Sequence, residues 1–199
     1  ISFFVLFKDL LAFQRNESTL YVLRLLFSAI PVLILGVFFA DEIEQFFTGN
    51  LLLVGSMLLI TAGLLTFAHF APKGERKITF GRSLIIGIAQ AMAVLPGISR
   101  SGATIATGLL LKTKKEEVAR FSFLMVLVPI LGAAFLDLVG GDFTTRTTIP
   151  ATSLIVGFLS AFVSGLLACS WMIRIVKRGK LIYFAIYCLI IGLIAIFAA

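Results

Sequence analysis

The stretch AVLPGISRSGATIATG, Ala93–Gly108, decides how the rest of the chain is read. It contains a Pro-Gly pair, four hydroxyl side chains and one arginine, with long apolar runs on both sides. Proline cannot donate an N–H to a helix ladder, and glycine permits a tight turn, so a helix running through this region breaks at Pro96-Gly97. The break matters because of where it falls.

The surrounding chain has the composition of a membrane protein. Of its 199 residues 60% are hydrophobic and only 14% charged, too few polar groups to cover a soluble domain of this size. Windows of about 20 nearly uncharged residues match a hydrocarbon core roughly 30 Å thick. Spans are predicted at 20–40, 51–71, 121–138, 152–173 and 181–198, with residues 1–7 as the tail of another. Pro31 lies inside the first full span, where neighbouring helices can satisfy the freed carbonyl. The expected fold class is all-α, a polytopic helical membrane protein forming one membrane domain over residues 1–199.

The net charge of +7, from 17 basic and 10 acidic residues, would raise nucleic acid as a partner in a soluble protein. Here the cations sit in short loops between spans, where orientation and contact with anionic lipid account for them. No nucleic-acid partner is expected. Loops 8–24, 72–82, 112–120 and 174–180 are basic and predicted cytoplasmic. Loops 41–50 and 139–151 are acidic or nearly neutral and predicted to lie outside. Only segment 83–111 breaks the alternation, since both its flanks are basic. Its 29 residues are too many for one span and too few for two, so it is predicted to be a re-entrant hairpin turning at PGISRSG. Irregular backbone at that depth is tolerated where it is buried in protein or lines a cavity.

A hairpin plus three spans is an odd number of crossings. A duplicated unit of this kind inserts in the opposite orientation, as in inverted-repeat transporters. The predicted division is 1–82 as the remainder of a first repeat and 83–199 as a second. The chain opens mid-run with ISFFVLF, which has neither the basic n-region nor the cleavage site of a signal peptide. A first hairpin is therefore expected upstream of residue 1, and this chain by itself is expected to be inactive.

The turn suits an anion. Arg100 offers a planar guanidinium that grips phosphate oxygens in bidentate fashion. Ser99, Ser101 and Thr104 add hydroxyls, while Gly97 and Gly102 let backbone N–H groups approach closely. The second half-helix starts here and points its positive dipole end at the same place. An arginine can also snorkel to the interface, and serines can back-bond to helix carbonyls. Six suitable residues within nine positions favour a site over those local explanations.

Other polar residues read as structural. His69, the only histidine, ends a span beside APKGER without a paired carboxylate, as an interfacial or packing residue. Glu116 and Glu117, next to Lys114 and Lys115, form a solvated cluster. Asp137 caps or pairs at the outer interface, and Asp41, Glu42 and Glu44 make an acidic loop. Cys169 and Cys188 lack ligand spacing and are packing residues. Trp171, Tyr183 and Tyr187 fall where an aromatic belt is expected.

The tract GIAQAMAVLPGISRSGATIATGLLL resembles the second signature of the undecaprenyl-diphosphate phosphatases, the bacitracin-resistance membrane phosphatases. FSFLMVLVPILGAAFLDL and FAIYCLIIGLIAI resemble that family in the same order, and the similarity covers essentially the whole chain. The resemblance implies hydrolysis of a C55 polyprenyl diphosphate to the monophosphate, recycling the carrier for peptidoglycan synthesis in the bacterial inner membrane. It implies a polyprenyl diphosphate lipid as partner, with a homodimer left open, and a divalent cation, Mg²⁺ or Ca²⁺, as cofactor. Carried over, Arg100 binds the diphosphate and stabilises charge in the transition state. Ser99, Ser101 and Thr104 hydrogen-bond phosphate, one of them a candidate nucleophile. Gly97, Gly102, Pro96 and Gln90 line the substrate site. The family's first hairpin contributes two glutamates and a histidine as metal ligands and base, and no such motif occurs in this sequence. A lipid-phosphate flippase or anion transporter, using the same turn without hydrolysis, is the alternative.

Overall fold

The computed structural model describes residues 15–39, 42–43, 51–72, 74–139, 151–179 and 181–199. Among them are seven α-helices and no strand: α1 (Arg15–Phe38), α2 (Leu51–Phe70), α3 (Phe80–Met92), α4 (Arg100–Leu110), α5 (Lys115–Val139), α6 (Ala151–Lys177) and α7 (Ile182–Phe197). Helices α1, α2, α5 and α6 are long and apolar enough to cross a membrane. Pro31 in α1 and Pro129 in α5 lie inside continuous helices. The predicted span at 181–198 is shorter than expected: α7 has 16 residues, about 24 Å at 1.5 Å per residue. The tail at 1–7 and most of the loops at 41–50 and 139–151 lie outside the described residues.

The distribution of polarity is inverted relative to a soluble protein. Large apolar side chains such as Val37, Phe67, Phe70 and Leu131 face outward, and Val176 is the only buried residue among the described side chains of α6. Hydroxyls lie inside: Ser28, Thr61, Ser83, Thr104 and Ser122 are buried. Several are satisfied within their own helix, Ser28 donating to the Leu25 carbonyl at 2.6 Å and Ser83 to that of Phe80 at 2.8 Å. In hydrocarbon this back-bonding is the local way to satisfy a hydroxyl.

Small residues set the packing where helices cross. Helix α2 lies along α7 with the two backbones close together: a Cβ added at Gly55 would sit 2.8 Å from the Gly192 carbonyl oxygen. Close backbone approach at small residues is how membrane helices gain van der Waals contact, since lipid supplies no hydrophobic drive between them. Helix α1 packs on α3, and α2 also packs on α4. One core cluster joins Leu65 of α2, Ile105 and Leu109 of α4, Val118 of α5 and Cys188 of α7. A second joins Leu25, Ile86, Phe121 and Met125 from α1, α3 and α5.

Helices α3 and α4 are short and pack against each other across the 83–111 segment. They contain 13 and 11 residues, roughly 20 and 16 Å, so neither reaches across a hydrocarbon core. The helical arms run over Phe80–Met92 and Arg100–Leu110, starting three residues before the predicted segment. Their outer ends meet. The Arg76 N–H donates to the Lys112 carbonyl at 3.1 Å, and the Lys114 N–H donates to the Arg76 carbonyl at 3.2 Å. The two basic flanks of the segment therefore lie side by side.

Candidate active site in the hairpin turn

The turn is built from Ala93 to Ser99. After α3 the chain tightens through N–H bonds from Val94 to the Ala91 carbonyl (3.2 Å) and from Ile98 to that of Leu95 (3.2 Å). Gly97 has φ +95°, in the left-handed region that favours glycine. A side chain there would also meet α2, since an added Cβ would lie 2.5 Å from the Val54 carbonyl oxygen.

Ser99 starts α4. It is extended, at φ −71° and ψ 108°, and its Oγ accepts the Gly102 N–H at 3.2 Å as an N-cap. The Ser99 carbonyl accepts the Ala103 N–H at 2.8 Å. A helix start leaves its first amides without intrahelical acceptors, and capping meets only part of that need. The N–H groups of Arg100 and Ser101 have no acceptor among the described residues. Gly102 is buried against the cap, where an added Cβ would stand 2.9 Å from Ser99 Oγ.

Arg100 is half-buried, and no carboxylate or carbonyl partners its guanidinium among the described residues. A cation without a counter-ion at the start of a short helix inside a membrane protein needs an anion to neutralise it. The Ser101 hydroxyl beside it is half-buried and also makes no hydrogen bond among the described residues. The turn thus brings together one guanidinium, one free hydroxyl and two free amides, all of which donate. Donors of this kind, at a helix start, have the chemistry to hold phosphate oxygens.

Thr104 stands differently. It is fully buried, and its hydroxyl donates to the carbonyls of Arg100 (3.0 Å) and Ser101 (3.2 Å), fastening the first turn of α4. Gln90 is fully buried in α3, and neither its Oε1 nor its Nε2 has a hydrogen-bond partner among the described residues. An orphaned buried amide is costly, and in a native protein it needs an explanation. Pro96 is half-buried in the turn itself.

Sequence reasoning missed Thr61. Its Oγ1 accepts the Ser99 N–H at 3.3 Å from across the helix boundary and donates to the Met57 carbonyl at 3.0 Å. The only signal was a threonine inside an apolar span, which does not say what it meets. Glu117 also differs from expectation: its Oε1 accepts the Ile78 N–H at 2.8 Å, tying the approach to α3 to the start of α5. His69 lies edge-on to Phe70 at 5.2 Å, with a buried Nδ1 that has no partner among the described residues. The side chain of Asp137 lies outside the described residues.

Among the described residues, no three His, Cys, Asp or Glu side chains come together as a metal site. The turn itself presents N–H groups, a guanidinium and hydroxyls, whose positive character repels a cation. These residues do not fit the divalent ion that the resemblance implies. The donors of the turn suit an anion instead.

The fold is that of a polytopic helical membrane protein with a donor-rich turn between two short helices. The family model described as bacitracin resistance protein BacA matches residues 2–194, and the chain belongs to that family. A Bacteroides fragilis protein named undecaprenyl-diphosphatase is 56% identical over 195 residues, covering 96% of this chain and 73% of the relative. One of the same name from Bacteroides thetaiotaomicron is 57% identical over 196 residues, covering 96% and 74%. An archaeal protein of that name, from Methanobrevibacter smithii, is 36% identical over 185 residues, covering 92% and 66%.

Proposed function

We propose that this membrane protein hydrolyses undecaprenyl diphosphate to undecaprenyl phosphate and inorganic phosphate, with the diphosphate held at the α3–α4 turn. The observation that carries the assignment is Arg100, an unpaired guanidinium at a helix start with two free amides. Its relatives of the same family bear the name undecaprenyl-diphosphatase. In the reaction an oxygen nucleophile forms a bond to the terminal phosphorus, and the bridging P–O bond breaks. The electron pair leaves with the lipid monophosphate, and water supplies the atoms that complete inorganic phosphate.

Arg100 grips non-bridging oxygens of the diphosphate and opposes the charge that builds there as the bridge breaks. The amides of Arg100 and Ser101 support the same oxygens, reinforced by the α4 dipole. The Ser101 hydroxyl is the free one in the turn and donates to phosphate. Ser99 and Thr104 hold the turn's shape, and Ser99 retains its own proton for a phosphate oxygen. Gln90 supplies an amide to the head group from the entering helix. The enzyme works in the bacterial inner membrane with its hairpin opening from the cytoplasmic side, as the basic flanks indicate. It returns the carrier for peptidoglycan synthesis, supporting cell-wall biogenesis and cell shape, and its turnover opposes bacitracin.

The test is phosphate release from undecaprenyl diphosphate by the protein expressed from its complete reading frame. Arg100→Ala is expected to lower kcat/KM by about 10²–10³, the scale of losing one charge-stabilising group, and Arg100→Lys to recover only part. Normal turnover by Arg100→Ala would refute the site. Movement of intact lipid diphosphate across vesicles without phosphate release would replace hydrolysis with transport.

A further inference from the structure

Helix α2 contributes nothing to the turn in sequence, yet one stripe of it lies under the whole motif. Val54, Met57 and Thr61 follow one another at helical spacing on one face. An added Cβ on Gly97 would meet Val54 O at 2.5 Å and Met57 Cβ at 3.0 Å, and one on Gly102 would meet Thr61 Cγ2 at 3.6 Å. Between them, Thr61 Oγ1 accepts the Ser99 N–H at 3.3 Å, at the long end of the N–H···O range. Residues 97, 99 and 102 of the turn therefore rest on residues 54, 57 and 61 of a single helix.

We infer that Thr61 is a positioning residue for the diphosphate-binding turn, fixing Ser99 and through it the start of α4 and the place of Arg100. Three hydroxyls in α2 bond back to their own helix: Ser56 to Leu52 (2.7 Å), Thr66 to Ala62 (2.7 Å) and Thr61 to Met57 (3.0 Å). Thr61 is the one whose oxygen also receives a donor from the hairpin. Its proton is committed to Met57, so its lone pair faces the Ser99 amide, and at 1% exposure no solvent competes for either. Ser99 precedes the helix, so its N–H has no place in the α4 ladder, and in a dry interior it needs an acceptor from elsewhere. Holding that amide sets the extended conformation in which Ser99 Oγ reaches Gly102. The cap in turn decides which residue begins the helix, and hence which amides remain free beside Arg100.

The inference rests on the proposed diphosphate site, and the experiment separates the two. Undecaprenyl diphosphate turnover is measured for the wild type, Thr61→Val, Thr61→Ser and Arg100→Ala, each expressed from the complete reading frame and purified as a monodisperse species. Valine keeps the methyl against Gly102 and removes the acceptor, whereas serine keeps the acceptor. Thr61→Val is expected to raise KM about five- to tenfold, the scale of one lost hydrogen bond, with Thr61→Ser within about twofold of wild type on the same scale. An unchanged KM in Thr61→Val, beside an inactive Arg100→Ala, overturns the positioning role and leaves the site standing. A fall in kcat alone with KM unchanged also overturns it, since that is what a smaller folded fraction produces. Normal turnover by Arg100→Ala removes the site and the inference together. If Thr61→Val does not accumulate, Thr61→Cys is read in its place. A KM between those of the serine variant and the five- to tenfold rise supports the role, and a wild-type KM overturns it.

Discussion

The backbone N–H of Arg76 donates to the carbonyl of Lys112 at 3.1 Å, closing a loop of chain that contains the entire α3–α4 hairpin. Thr113 completes the junction as the parallel bridge partner of Arg76, and Lys112 adopts φ 58° to make the turn into it. Beside it Lys114 Nζ stands 3.6 Å from Glu75 Oε2. The two ends of the hairpin are thus fixed together, and the PGISRSG turn lies at the far end of two short helices. The turn is thereby held away from the junction, against helix α2, where an added Cβ on Gly97 would meet the Val54 carbonyl oxygen at 2.5 Å.

The closure predicts a topology. Single cysteines introduced as Glu75→Cys and Lys114→Cys, in a background lacking Cys169 and Cys188, are expected to react with a membrane-impermeant thiol reagent from the same side. The basic flanks assign that side to the cytoplasm, so labelling should appear in inside-out vesicles and not in intact cells. Labelling from opposite sides would mean that 83–111 crosses the membrane, and the hairpin would be lost.

The two serines are expected to separate stability from chemistry. Ser99 Oγ accepts the Gly102 N–H, and removing an N-cap costs on the order of 1 kcal/mol. Ser99→Ala should therefore lower the thermal midpoint as well as activity. Ser101 makes no side-chain hydrogen bond among the described residues, so Ser101→Ala should leave the midpoint within about a degree while reducing phosphate release, since it removes no protein contact. The pair is read by thermal unfolding in detergent alongside turnover. Equal loss of stability in both variants would contradict the assignment.

Much of this arrangement was legible in the sequence, and the reason is local. Pro96-Gly97 can break a helix wherever it stands, and basic residues on both sides of 83–111 allow only a return to the starting side. The cap was not legible: Ser99 reads as a phosphate ligand alone, and its Oγ accepts the Gly102 N–H as well. What else could not be read depends on distant partners. Thr61 is 38 residues from Ser99, and a threonine in an apolar span looks the same whether it bonds to its own helix alone or also receives an amide. Glu117 looked like part of a solvated charge cluster because the Ile78 amide that it accepts lies 39 residues away. The 16-residue length of α7 was overestimated because hydropathy does not mark where a helix stops.

Gly97 is expected to tolerate no side chain. Its φ of +95° is strained for any L-residue, at about 1–3 kcal/mol, and the Val54 carbonyl occupies the space that a Cβ would need. Gly97→Ala should unfold at a markedly lower temperature, followed by the fluorescence of Trp171, the single tryptophan. An unchanged midpoint would mean that the turn and α2 are not in contact as described.

Gln90 gives the sharpest contrast between folding and function. Its amide is fully buried, with both polar atoms unpartnered among the described residues, a state that costs roughly 1–3 kcal/mol per unsatisfied group. A residue selected for stability alone would not be an amide here. Gln90→Leu keeps similar bulk and removes the orphaned atoms, so the variant should be more stable than wild type by about 1 kcal/mol or more on that scale. The same change should weaken undecaprenyl diphosphate turnover, seen mainly as a higher KM, because the head group loses an amide. Adding a non-hydrolysable diphosphate analogue should raise the wild-type midpoint more than that of Gln90→Leu, since a ligand stabilises the folded state according to its affinity. A stabilised Gln90→Leu with wild-type KM and an equal analogue shift would make Gln90 a packing residue and take it out of the site.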